Sequence, residues 1–454
     1  MLKPLLIYTR QAVQTIQFTG KIDLMKYIII RCCFLAIVFT SFDAVAESSV
    51  QAISLPDGND ISVHFRKASL SSEGGQQDVQ LLWLSTEFGF RGREQAHLDN
   101  YARAGFDIWL PDLHESYFIP AGRTSYDQIP VADIEALLDV LLKQTSKRIL
   151  LIAGGRGAPM LLEAAHHWRL KHPGSKRIIG ALLYYPNFSQ SVVQAGEEMQ
   201  YKPVLKFNQL PLYIIQPANS AKRWQLKKLI DVIEQEGGIV SYRILANTSD
   251  GFDIRQDERT DDEKSYSQRL PLFATQAVKL LAGYSDEITK RPLKSIDNAR
   301  LSGSTTSPAA QLRRFVPVRK APPLNLKDID GKQVSLASLD ADFVLVNFWA
   351  SWCPPCVEEL PSLQRLQARF SPKKFRVISV DVGESPAEIR LFFKQLKVDL
   401  PVWLDPDGET VKDWKISAFP TSYVVDTKGN MYYGLFGAIN WDRDEVADQI
   451  KLLQ

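Results

Sequence analysis

The sequence is short of the residues on which most metal and nucleophile chemistry depends. It holds four cysteines and six histidines among 454 residues, and neither type occurs after Cys356. A zinc site built on Cys353 and Cys356 would need two more ligands, so no metal and no cofactor is expected. An excess of one charge is missing too. The net charge is +2, which removes the electrostatic case for nucleic acid. The apolar run from Cys32 to Phe42 is short for spanning a bilayer, and Arg31 interrupts its longer version. What remains is a composition of 45% hydrophobic and 23% charged residues, fit for globular domains, on a chain long enough for about two or three of them.

The N-terminus reads as a targeting segment. Met25-Lys26 opens a short basic stretch ending at Arg31, the apolar run follows, and Ala44-Val45-Ala46 stands before Glu47. That is an n-region, an h-region and a cleavage site. Residues 1–46 are therefore expected to be a signal peptide with its start at Met25, and the mature chain to begin at Glu47. An uncleaved membrane anchor is the alternative. Cleavage removes Cys32 and Cys33 and leaves Cys353 and Cys356 without accidental disulfide partners.

Those two cysteines stand in Trp352-Cys353-Pro354-Pro355-Cys356, between a strand-like run, Val344–Trp349, and a helical pattern from Val357 to Phe370. Leu360, Leu363, Leu366 and Phe370 fall on one side of that helix. The pair thus sits at a helix N-terminus, where partial positive charge favours thiolate over thiol. A structural disulfide staples a long loop, and a two-residue gap constrains almost nothing. A redox-active pair is the expected reading.

From Ile61 to about Gly283 strands and helices alternate, which predicts a mostly parallel sheet covered on both faces. Strands are expected at 61–65, 79–84, 106–110, 148–153, 178–184, 212–216 and 239–245. Helices are expected at 94–104, 131–144, 158–171, 221–236 and 270–281. The charged cluster Asp253–Lys264 reads as a solvated loop. His166, His167 and His172 read as surface histidines near a helix C-terminus.

One stretch in this half is specific. Leu150–Ala158 is a buried strand, a glycine-rich turn and a helix start. With Gly105–His114 it resembles the nucleophile elbow and fold of the α/β-hydrolases. Gly155 occupies the nucleophile's place and has no side chain to attack with. The last histidine, His172, precedes the position the triad requires, although Asp250 stands near that position and Asn219 or Ser220 near the acid's. The absence of Lys-Ser/Thr and of G-x-G-x-x-G argues against a phosphate loop. The resemblance therefore implies a hydrolase-like domain over residues 47–283 without a triad, whose apolar, glycine-lined cleft is left to bind a ligand or partner.

Residues 284–315 have linker composition, most clearly Leu301–Pro308. From 316 to 454 the chain resembles the TlpA/ResA-type thiol-disulfide oxidoreductases, a thioredoxin-like family exported across the bacterial inner membrane. Ala321–Leu324, Asp328–Lys332, Val346–Cys356 and Ala418–Ser422 carry the resemblance. It implies an exported, periplasmic disulfide reductase, with an anchored protein facing the periplasm as the alternative. Cys353 attacks a substrate disulfide and Cys356 resolves the mixed disulfide. Glu359 lies on the helical face of Cys356 and can take its proton. The resemblance further implies a cis peptide at Pro420, with Trp352, Phe419, Pro420 and Thr421 facing the substrate. The implied partners are disulfide-bearing periplasmic proteins, as in cytochrome c maturation, and a membrane thiol donor. A bifunctional hydrolase with an accessory redox domain is the competing reading.

Overall fold

The computed structural model describes residues 48–69, 78–190, 195–256, 259–293 and 311–453. The expected signal segment with Met25, Cys32 and Cys33, and the Leu301–Pro308 stretch expected as linker, lie outside them. Among the described residues no helix is long and apolar enough to cross a membrane. The protein is α/β, with two mixed eight-stranded sheets.

The first sheet comprises β1 (Ser48–Ser54), β2 (Asp60–Arg66), β3 (Val79–Leu84), β4 (Ile108–Pro111), β5 (Arg148–Gly154), β6 (Ile178–Tyr184), β7 (Leu212–Asn219) and β8 (Val240–Ser249). Their order is β1-β2-β4-β3-β5-β6-β7-β8. From β4 to β8 every neighbour is parallel, while β2 is antiparallel to both β1 and β4. Continuous apolar runs such as Ile149–Ile152 suit strands buried on both faces. Ile149 and Leu151 join the core beneath helices Val131–Gln144, Gly157–Lys171 and Ala221–Gln235. Leu150 and Ile152 point the other way, toward helices Arg93–Arg103 and Leu270–Leu281.

Three expectations for this half fail. The Asp253–Lys264 segment is not a solvated loop. Asp253 is buried and accepts the Tyr185 hydroxyl at 2.6 Å. Glu263 is buried in the first turn of a helix, Asp261–Gln268, opened by a capping box with Thr260. Nor is His166 a surface residue, since it is buried on its helix. His172 caps that helix and stacks on Trp168. The cleft, described below, is walled by charge.

The second sheet comprises β9 (Arg313–Lys320), β10 (Asn325–Asp328), β11 (Gln333–Ser335), β12 (Phe343–Trp349), β13 (Phe375–Val382), β14 (Val402–Asp405), β15 (Thr421–Asp426) and β16 (Asn430–Phe436). The order is β11-β10-β14-β13-β12-β15-β16-β9. β12, β13 and β14 are parallel, and β15 lies antiparallel to β12. β9 begins upstream of Val316 and edges the sheet against β16. One face carries helices Pro354–Ala368, Pro386–Leu396 and Asp444–Lys451.

The opposite face borrows cover from the first half. Ala195 joins its core, and Trp224 packs against it. Trp224 lies so close to Gly408 that a Cβ there would stand 2.3 Å from the ring, and Gly383 meets the same ring. Both glycines have positive φ, so a side chain is excluded by strain as well as by space. Gln225 adds a hydrogen bond from Nε2 to the Ile416 carbonyl at 3.0 Å. The described residues accordingly fall in one compact unit.

Candidate active site

The central strand β12 delivers the cysteines. Its last residue, Trp349, is fully buried. The chain turns through Ala350 and Ser351, and Cys353 becomes the N-cap of the helix Pro354–Ala368. Prolines at the first two helical positions lack N–H groups that would have no intrahelical partner there anyway. The two sulfurs are joined in a disulfide. Cys356 is wholly buried and Cys353 is 7% exposed, so a partner can reach only the first. The Cys356 N–H donates to the Cys353 carbonyl at 3.0 Å.

Glu359, one turn beyond Cys356, is 3% exposed rather than a surface charge. Its Oε1 accepts from Asn347 Nδ2 at 2.7 Å, and its Oε2 accepts from Trp441 Nε1 at 3.0 Å. Burial pushes its carboxyl up to about 7, against the opposing pull of Trp441, Asn347 and the Ile439 N–H. Such a group changes protonation near neutrality, where a proton acceptor works best. Glu358, its neighbour, is exposed.

The Phe419–Pro420 peptide is cis. Trp352 and Phe419 meet edge to face with centroids 5.7 Å apart, and both rings border the approach to Cys353. Thr421 does not face that approach. It is buried in β15, paired with Phe348 and Phe436, and its hydroxyl donates to the Ala418 carbonyl at 2.7 Å. Pro420 is buried as well. Of the four expected substrate-facing residues, Trp352 and Phe419 line the cleft and the other two support it.

Two carboxyls beside the cysteine loop went unread in the sequence. Glu384 accepts the Ser351 N–H at 2.7 Å and also the Ser351 hydroxyl, fixing the turn before Cys353. Asp381, the penultimate residue of β13, is fully buried, and its carboxyl is held well above the usual range by burial and by the neighbouring Glu384. An acid near the end of an apolar strand was the available signal.

Lining a cleft of about 340 Å³ together with Cys353 is Arg156, from the glycine-rich turn of the first half. Gly155 has φ +49° and lies beneath Glu87, whose Oε2 would stand 2.3 Å from a Cβ on it. That same Oε2 accepts the Arg156 N–H at 2.9 Å. In a nucleophile elbow the N–H following the nucleophile serves the oxyanion hole. Here a carboxylate fills it. The triad candidates are engaged elsewhere: Asp250 pairs with Lys222, and Ser220 caps the helix Ala221–Gln235. The first-half wall of the cleft is therefore charged rather than apolar, and among the described residues no glycine lines it. Arg123, Arg156, Lys222 and Arg255 line it beside Glu87 and Asp250.

A cysteine pair at the mouth of a helix, fed by a central strand and flanked by a cis-proline, on a thioredoxin-like sheet, defines a thiol-disulfide oxidoreductase. Comparison with known proteins narrows the class. Residues 317–433 match the AhpC/TSA family. The chain is 30% identical over 119 residues to the thiol-disulfide oxidoreductase ResA of Bacillus thuringiensis subsp. konkukian, covering 26% of this chain and 69% of that protein. ResA of Bacillus subtilis is 32% identical over 111 residues, 24% of this chain and 62% of that one. Among solved structures, a thiol:disulfide interchange protein of the thioredoxin family from Chlorobium tepidum is 28% identical, with 30% of this chain and 97% of that one covered and a TM-score of 0.27. The chain belongs to the ResA-type thiol-disulfide oxidoreductases.

Proposed function

We propose that the protein is an exported disulfide reductase in which the N-terminal half, hydrolase-like but without a triad, forms part of the substrate site. The observation that carries this reading is the placement of Cys353 in a cleft shared by both halves, with Glu359 buried behind Cys356.

The chemistry follows from exposure. Cys353, as thiolate, attacks a substrate disulfide; one substrate sulfur leaves as thiol and the other is held in a mixed disulfide. Cys356 then gives its proton to Glu359, directly or through water, and attacks Cys353 Sγ. The second substrate thiol leaves and the Cys353–Cys356 disulfide forms. Two electrons pass from protein to substrate, and a thiol donor must restore them. The leader motif before Glu47 supports export, the periplasm as the compartment and a membrane protein as that donor; disulfide-bearing periplasmic proteins are the substrates.

The competing hydrolase reading needs a nucleophile that Gly155 cannot supply and that Glu87 leaves no room for. The strand, turn and helix around Gly155 support descent from an elbow, not retention of its activity.

Reduction of a disulfide-bonded protein by the thiol-charged enzyme tests the proposal, with Cys353→Ser as control. Turnover that disappears in the control supports it; turnover that survives, or esterase activity that survives in a Cys353→Ser/Cys356→Ser chain, counts against it. N-terminal sequencing of the exported protein tests the mature start at Glu47, and retention of residues before Ala44 would overturn it.

A further inference from the structure

Resting on the reductase reading, we propose that the cleft selects an anionic disulfide, one carrying a carboxylate a few bonds from its sulfur, through the guanidinium groups of Arg156 and Arg123.

The cleft has two unlike walls. Around Cys353 it is apolar, with Trp352, Phe419 and Phe436. The wall from the first half bears four cationic residues, Arg123, Arg156, Lys222 and Arg255, against the carboxylates of Glu87 and Asp250. Two of these cations are already paired. Lys222 holds Asp250, and Arg255 reaches both oxygens of buried Glu263 at 2.9 and 2.8 Å. The Glu87 Oε2 is taken by the Arg156 backbone N–H.

Arg156 itself is 8% exposed. Among the described residues its guanidinium donates long bonds to neutral oxygens, the Ser189 carbonyl at 3.4 Å and the Ser189 hydroxyl at 3.3 Å. Among the described residues no ion pair involves Arg156 or the exposed Arg123. A buried charge without a counter-charge is unfavourable, and a carboxylate offers the planar, two-pronged partner that a guanidinium fits best. A disulfide lying along the apolar wall with its sulfur at Cys353 would bring its own carboxylate to the opposite wall. The volume, about 340 Å³, suits a small molecule or a short extended segment of a substrate protein.

The electron balance is that of the reductase step. The reduced Cys353–Cys356 dithiol becomes a disulfide, and the anionic disulfide becomes two carboxylate-bearing thiols.

The test uses the pre-reduced full-length protein in single turnovers against three small symmetric disulfides: dithiodipropionate, hydroxyethyl disulfide and cystamine. Each rate is divided by the rate of the same disulfide with free dithiothreitol, which removes intrinsic reactivity. One charge-assisted contact predicts a preference of about tenfold for dithiodipropionate over cystamine, shrinking as salt is raised. Arg156→Gln should move that ratio toward one. Because the ratio is read within a single variant, a general loss of activity does not imitate the effect. If Arg156→Gln does not fold, the surface change Arg123→Gln and the salt dependence decide. A second arm compares short peptide disulfides bearing Glu or Lys beside the half-cystine. Preference in the first arm assigns a small-molecule substrate, and preference only in the second assigns an acidic peptide. Equal normalised rates in both arms, or a preference for the cationic disulfides, overturn the proposal. A reduced protein that none of the disulfides oxidises overturns the reductase reading beneath it.

Discussion

Trp441 donates its indole N–H to Oε2 of Glu359 at 3.0 Å. This bond, with the one from Asn347 to Oε1, aims two neutral donors at a carboxyl that burial drives the other way. The donors favour the charged form and desolvation the neutral one. The balance leaves the group titrating at about 7.

Glu359→Gln should therefore slow resolution of the mixed disulfide, by roughly ten- to a hundredfold if Glu359 is the proton acceptor. In the native protein the resolving step should fall as pH drops through about 7, since only the ionised carboxyl accepts a proton. Rapid-quench trapping of the Cys353 mixed disulfide reads both effects. An unchanged rate and pH profile would reduce Glu359 to a structural carboxyl.

The same shift makes a stability prediction. A folded-state pKa raised from 4.5 to about 7 means the folded protein binds more protons than the unfolded chain between those values. Stability from this group is thus greatest at low pH and is lost as pH rises through that window. Gln at position 359 cannot ionise, so Glu359→Gln should gain relative to native between pH 5 and pH 8. A gain of about 1–3 kcal/mol is expected, smaller where the amide clashes with the Asn347 and Trp441 donors. Denaturant unfolding at the two pH values checks it.

Restoring a serine at the elbow should fail. In Gly155→Ser the new Cβ meets Glu87 Oε2, and φ +49° is unfavourable for any L side chain. A loss of about 1–3 kcal/mol is expected from strain and overpacking, with no labelling by a serine-hydrolase probe. Covalent labelling of Ser at 155 would contradict the account of Glu87.

Trp224→Ala should loosen the contact between the halves, because its ring fills the space above Gly383 and Gly408. Alkylation of reduced Cys353 should accelerate as the cleft opens, while the isolated redox chemistry persists. An alkylation rate equal to native would mean that the first half does not control access to the sulfur.

Much of the architecture was legible because it rests on periodicity. The runs at Val79–Leu84 and Ile178–Tyr184 and the helices Val131–Gln144 and Leu270–Leu281 lie where apolar spacing puts them. The cysteine pair was legible because strand, turn and helix are contiguous there. What escaped depends on contacts distant in sequence. Glu87 and Gly155 meet across 68 positions, and no local pattern announces that a carboxylate will cover a glycine. Trp224 likewise looks like an ordinary helix residue until Gly408 is brought beneath it. Asp253 and Glu263 misled because acid-rich stretches are usually solvated; the Thr260-x-x-Glu263 capping signature is present in the sequence and went unread.

The central claim is that the pair donates electrons, and its reduction potential tests that most directly. Pro354 and Pro355 offer no N–H to a Cys353 thiolate, and the Cys356 N–H is bonded to the Cys353 carbonyl in the oxidised form. Thiolate stabilisation is thus moderate, and a strong oxidant needs it to be large. Equilibration of the Cys353–Cys356 couple against a dithiothreitol or glutathione buffer should give a potential nearer about −270 mV than about −120 mV. A value above about −150 mV would make the protein an oxidant and contradict the account.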